Sequence, residues 1–162
     1  MKKLLLIRHA KSDWNDPSQK DFDRPLNERG KRDAPLMAHR LLDKKISVDA
    51  FISSPAKRAR KTAEIFVNEF NRKKEEIIFS ESLYLAVADV FFDVISKTPN
   101  EFISIAVFSH NPGITDFANL ITNARIDNIP TCGIFAMKIK TDSWRDFKNA
   151  KKEFWFFDYP KA

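Results

Sequence analysis

Short, uninterrupted apolar runs alternate along this chain with longer segments whose apolar residues return every three or four positions. Leu4-Leu5-Leu6-Ile7, set between Lys2-Lys3 and Arg8-His9, has the pattern of a central strand buried on both faces. Asp16 to Pro25 is polar, includes two prolines and reads as a loop. Asn27 can cap a helix carrying Leu36, Met37, Leu41 and Leu42 to about Lys45, with Pro35 predicting a kink or an irregular first turn. Val48 to Ile52 predicts a second strand. Ser54 as N-cap and Pro55 at the first helical position then predict a helix with the stripe Ala59, Ala63, Phe66, Val67 and Phe70.

Glu76 to Phe79 suggests a short third strand, Ala86 to Ile95 a helix, and Phe102 to Phe108 a fourth strand; Asn111-Pro112 opens a helix through Phe117 and Leu120. Gly133 to Ile139 and Glu153 to Tyr159 read as two antiparallel strands. This alternation predicts an α/β three-layer sandwich, a mostly parallel sheet with helices on both faces. The Phe154-Trp155-Phe156-Phe157 run is expected in a strand buried on two sides, with a dimer surface as the alternative reading, and a monomer or weak dimer is the expected state.

Composition narrows the classes. At 162 residues, 43% hydrophobic and 31% charged, the chain is long enough for one domain with a substantial core, which excludes a disordered or collagen-like chain. A single cysteine excludes a disulfide scaffold. The opening apolar run is cut short by Arg8-His9, so it suits neither a secretory leader nor a membrane span, and a cytoplasmic location is expected. The net charge of +6 admits nucleic acid, anionic lipid or a phosphate-bearing substrate. Yet the cations are dispersed among acids and apolar residues, and no nucleic-acid-binding motif is present, so nucleic acid is not the expected partner. The absence of GxxxxGK[ST] and GxGxxG argues against a nucleotide cofactor.

In open α/β sheets, ligands bind beyond the carboxyl ends of the strands. Here the first strand ends in Arg8-His9, the second leads into Ser53-Ser54-Pro55-Ala56-Lys57-Arg58, and the fourth ends in Ser109-His110-Asn111-Pro112-Gly113. Together these ends supply two arginines and two histidines, a set suited to a phosphoryl group. Guanidinium forks grip its oxygens, one neutral imidazole attacks phosphorus, and the other, protonated, neutralises charge. By contrast, His39 and Cys132 lack partners at ligand or activating spacing and read as structural or solvated, Trp14 as a packing residue, and Trp144 and Trp155 as core or sheet-edge residues.

The segment Leu5 to Asn15, with Arg8-His9-Ala10 at its centre, resembles the RHG motif of the histidine phosphatase superfamily, in the branch containing cofactor-dependent phosphoglycerate mutases. Arg24-Pro25-Leu26-Asn27-Glu28-Arg29-Gly30, Ser53 to Ala59 with Thr62-Ala63, and Ser109 to Gly113 extend the likeness over most of the chain. Its short length looks most like the SixA-type phosphohistidine phosphatases. The resemblance implies a phosphoglycerate mutase-like fold, His9 as nucleophile, Arg8 and Arg58 as phosphoryl ligands, His110 as the group completing the pocket, and Asn15 as a further phosphate contact. Neither metal nor cofactor is implied.

Ala10 and Lys11 depart from the commonest motif, which has Gly and Glu. In mutases and many phosphomonoesterases of this group a glutamate after the strand that follows the long helix protonates the leaving oxygen. Tyr84 or Leu85 aligns near that position here, while Glu81 lies several residues early. A missing acid, together with a connection from Glu81 to the strand at Phe102 of only about twenty residues, too short for a cap domain, favours a phosphohistidine-bearing protein as substrate. A small phosphomonoester is the alternative, and a non-catalytic phosphate- or nucleic-acid-binding protein is a second one.

Overall fold

The computed structural model describes residues 1–161. Six strands form one mixed sheet: β1 (Lys2–Arg8), β2 (Ala50–Ser53), β3 (Ile78–Phe79), β4 (Ser104–Ser109), β5 (Ile134–Lys140) and β6 (Lys151–Asp158), in the order β3-β2-β4-β1-β5-β6. The first four in that order are parallel, whereas β5 is antiparallel to both β1 and β6. The helices are α1 (Glu28–Asp43), α2 (Lys57–Glu69), α3 (Ala88–Ser96) and α4 (Gly113–Ile121).

Two apolar layers follow from the alternation of side chains along each strand. Leu5 and Ile7 of β1 pack with Phe51, Phe108 and the inner faces of α1 and α2, while Leu4 and Leu6 face the layer containing Phe91, Phe117, Trp144 and Phe147. β1 is therefore buried on both faces, as its unbroken apolar run predicts. No helix among the described residues is long and apolar enough to cross a membrane.

The fold corrects several local expectations. Helix α2 starts at Lys57 behind an Ala56 cap, leaving Pro55 outside it. Ser54 is not the N-cap: its N–H continues the strand pairing to the Phe108 carbonyl, and its hydroxyl, 2.7 Å from His110 Nε2, accepts from the Ala56 N–H ahead of the helix rather than from a helical N–H. α1 runs unbroken through Pro35. Leu36 and Leu120 are exposed rather than inward. The third strand contracts to two exposed residues.

The aromatic tail is the largest departure: β6 is the edge strand, Phe154 is 51% exposed, and Trp155 and Phe156 lie against one apolar layer while Phe157 lies against the other. Lys3 and Lys138 place their ammonium groups 5.3 and 4.9 Å from the Trp155 ring, so cation–π contacts from β1 and β5 help cover that ring on one face of the sheet.

Candidate active site

Because β2, β4 and β1 are adjacent and parallel, their carboxyl ends open on the same edge of the sheet. Arg8, His9, Arg58 and His110 meet there. The His9 and His110 rings lie 5.1 Å apart, and Arg58 Nε is 3.4 Å from His9 Nε2. Only 6% of His9, 3% of Arg58 and 2% of His110 is exposed, so the floor of the crevice is covered.

Each side chain is oriented by a specific contact. His9 Nδ1 lies 2.8 Å from the Ala10 carbonyl, an acceptor that fixes the proton on Nδ1 and leaves the Nε2 lone pair facing Arg58. The His9 N–H donates to the Ser109 carbonyl, and the Ala10 N–H donates to Thr62 Oγ1 of α2. His110 Nε2 is 2.7 Å from the Ser54 hydroxyl. Glycine is required at residue 30, where a Cβ would come within 2.2 Å of the Lys11 carbonyl oxygen, so close packing explains that residue. The same carbonyl accepts from the Asn27 N–H, and Asn27 Oδ1 caps the Gly30 N–H, which clamps the loop after β1 to α1.

Electrostatics revises the expected protonation. Burial first, then the charges of Arg58, Arg8 and Arg24, lowers the His9 pKa to about 3. Burial, followed by His9 and Arg58, lowers that of His110 to about 2. Both imidazoles are therefore neutral at pH 7 in the free protein, which suits a nucleophile at His9 but corrects the expectation of a protonated His110. Burial and the neighbouring Arg58 charge likewise lower the pKa of Arg8. Arg8 Nε and His110 Nδ1 are both buried and without a hydrogen-bond partner. Unpaired buried polar atoms are costly, and two of them at one crevice mark a place for a ligand with several polar atoms.

Asn15 stays on the exposed loop, where its backbone N–H donates to Asp13 Oδ1, and no hydrogen bond joins it to Arg8, His9, Arg58 or His110. Nor does Trp14 pack inside: it is 67% exposed, with the Arg24 guanidinium carbon 3.5 Å from its ring centroid. Cys132 is buried, and burial pushes its thiol pKa upward, in keeping with a structural role. His39 pairs with Glu69 on the surface at 2.7 Å. Glu81 and Asp89 are exposed.

Sequence reasoning missed Asp21 and gave no site role to Arg24 or Tyr84; these three residues form the rim. A single 3-10 turn, Asp21–Asp23, interrupts the expected loop. The Asp21 carboxylate accepts from Arg58 Nη2 (3.1 Å) and from the Tyr84 hydroxyl (2.6 Å), and its backbone carbonyl accepts from Arg58 Nη1 (2.7 Å). Arg24 Nη1 lies 2.9 Å from the other Asp21 oxygen, and Arg24 Nε donates to Ser12 Oγ. The Tyr84 ring stands edge-on to Phe22 and to His110, at centroid distances of 5.1 and 5.6 Å. The sequence signals for this rim were Arg24, at the head of a segment that matches the family, and the position of Tyr84 where relatives carry an acid.

A parallel-sheet crevice that gathers neutral imidazoles among several guanidinium groups defines a class of α/β protein built to handle phosphoryl groups. The chain belongs to the histidine phosphatase superfamily, branch 1, whose family model matches residues 4–84, and it is a phosphatase of that superfamily with the phosphoglycerate mutase-like fold. It is 30% identical over 153 residues to an uncharacterised chloroplastic protein of Arabidopsis thaliana, covering 90% of this chain and 70% of that one. It is 34% identical over 106 residues to phosphoserine phosphatase 1 of Hydrogenobacter thermophilus, covering 63% of this chain but 49% of the other. Among solved structures, a protein assigned as the phosphohistidine phosphatase SixA of Agrobacterium tumefaciens superposes with a TM-score of 0.83 at 25% identity, over 98% of both chains.

Proposed function

We propose that this chain hydrolyses phosphohistidine on a protein through a covalent phosphohistidine at His9, without a metal ion. The observation that carries this reading is the neutral His9, with its proton held at Nδ1 by the Ala10 carbonyl and its Nε2 lone pair directed at a guanidinium-lined space. Nε2 attacks phosphorus in line, while Arg8, Arg58 and His110 grip the equatorial oxygens. The unpartnered Arg8 Nε and His110 Nδ1 support that assignment of the oxygens. Water then attacks phosphorus in the second step and frees His9.

Two features favour phosphohistidine over an ester. Tyr84 stands near the position where ester-cleaving members of the family have a glutamate, and imidazole departs more readily than an alkoxide. The likeness to the SixA structure points the same way. A cytoplasmic location and the absence of a nucleic-acid partner belong to the same reading.

The test is phosphate release, in the presence of EDTA, from a phosphohistidine peptide and from phenyl phosphate, with native chain and His9→Ala. Preference for the peptide and loss of release in the variant are expected. Release that survives His9→Ala sinks the nucleophile, and dependence on added metal sinks metal independence.

A further inference from the structure

The acid missing after β3 has a counterpart from a different part of the chain. Arg58 bridges the two sides of the crevice: its Nε faces His9 Nε2 at 3.4 Å, while Nη2 is held by the Asp21 carboxylate at 3.1 Å. In-line displacement puts the leaving atom opposite Nε2, on the outer side of the phosphoryl group. His9 lies on the covered floor, whereas the Asp21 side chain is 43% exposed and reaches the same Arg58 guanidinium from the solvent side. Tyr84 holds the carboxylate there through its hydroxyl, at 2.6 Å.

We propose that Asp21 is the proton-carrying carboxylate for leaving groups of phosphate esters, that Tyr84 is its positioning residue, and that the site therefore has a second, phosphomonoesterase activity. This rests on the assignment of His9 as nucleophile. In the free protein partial burial pushes the Asp21 carboxyl up, but the Tyr84 hydroxyl, Arg58 and Arg24 outweigh it and hold the group ionised. An entering phosphoryl group competes for the same Arg58 Nη2. Once that arginine is shared with the substrate and an anion sits alongside, the ionised form loses support, and the carboxylate takes the proton of the phosphate monoanion.

The cycle then balances. The Nε2 lone pair of His9 forms the N–P bond, the P–O bond to the leaving group breaks, and its electron pair takes the proton from Asp21, giving alcohol, phosphohistidine and carboxylate. Water next adds to phosphorus and yields its proton to Asp21. The N–P bond breaks with its pair returning to His9, and inorganic phosphate leaves. A phosphohistidine substrate makes less use of this carboxyl, because its ring can already carry a proton on the far nitrogen at neutral pH.

The experiment compares native chain, Asp21→Asn, Asp21→Glu and Tyr84→Phe on 2,4-dinitrophenyl phosphate, phenyl phosphate and a phosphohistidine peptide, with inorganic phosphate inhibition as a second readout. Asp21→Asn should lose about 10²-fold in kcat/KM on phenyl phosphate but no more than a few-fold on the dinitrophenyl ester and the peptide. Asp21→Glu should restore part of the loss, and Tyr84→Phe should show the same pattern more weakly. Phosphate should bind Asp21→Asn at least as tightly as native chain, since a competitor for Arg58 is gone. An equal loss on all three substrates with weaker phosphate binding overturns the proposal, leaving Asp21 a support for Arg58. An equal gain on all three also overturns it, making Asp21 a plug. Native release from the peptide but from neither ester overturns only this proposal, whereas a native chain inert toward all three removes the proposed function as well.

Discussion

The floor and the rim of the crevice are made in different ways. Floor residues sit at or just beyond the ends of parallel strands or in the first turn of α2; His9, Arg58 and His110 are almost fully covered and Arg8 partly so, and the two histidines owe their orientation to a backbone acceptor and a buried hydroxyl. Rim residues sit on turns, are partly exposed, and are held by one another: Asp21 by Arg58, Arg24 and Tyr84, and Arg24 by Trp14 and Ser12. Sheet register positions the floor in the ligand-free chain. The rim contacts the floor through the Arg58 guanidinium that an incoming phosphate would also use, so it is the part a ligand can rearrange. Chemistry common to all substrates should therefore reside in the floor, and discrimination among leaving groups in the rim.

The largest expected effect breaks the floor itself. His9→Ala should lower phosphate release by at least about 10³-fold and abolish acid-labile phosphate trapped on the chain during turnover. A trapped phosphoryl group that persists in the variant would place the nucleophile elsewhere.

Acid should expose the floor next. The unfolded chain takes up protons on these two histidines near the ordinary 6.5, which the folded chain refuses down to about 3 for His9 and about 2 for His110. Their contribution to stability is present in full above pH 6.5 and is lost as pH falls. Denaturant titrations at a series of pH values from 7 to 5, above the carboxylate range, should show native stability falling, with a flatter course in the double variant His9→Gln, His110→Gln. Parallel courses would mean that the imidazoles are not held neutral.

Gly30→Ala should cost about 1–3 kcal/mol in denaturant unfolding, because the new methyl meets the Lys11 carbonyl and pushes apart α1 and the loop carrying His9. Ser54→Ala should cost about 1–2 kcal/mol by leaving a buried imidazole nitrogen unpaired, and should reduce kcat more than it changes KM. On the rim, Trp14→Ala should cost less than about 1 kcal/mol and change turnover of a phosphohistidine peptide less than threefold. A loss with Trp14→Ala as large as that with Ser54→Ala would erase the distinction between floor and rim.

The apolar run of β1, the strand ends at Arg8-His9 and Ser109-His110, and Arg58 at the start of α2 were legible because each depends on local pattern: burial on two faces, interruption by polar residues, and helical spacing. Asn15 was less legible, since a place in a motif does not say which way an exposed loop turns. The β6 aromatics were misread because an apolar run reports a need for cover without saying that lysine stems and a single neighbouring strand will supply it.

The sequence by itself determined the layered α/β fold and the four residues of the floor, because hydrophobic periodicity sets the elements and parallel strands end on one edge. Tertiary structure alone decided that β4 enters between β1 and β2, that both histidines are neutral, and that Asp21 and Tyr84 meet over Arg58. Those outcomes depend on distances between segments that are remote in the chain, where burial, charge and hydrogen bonding act together and no local pattern records them.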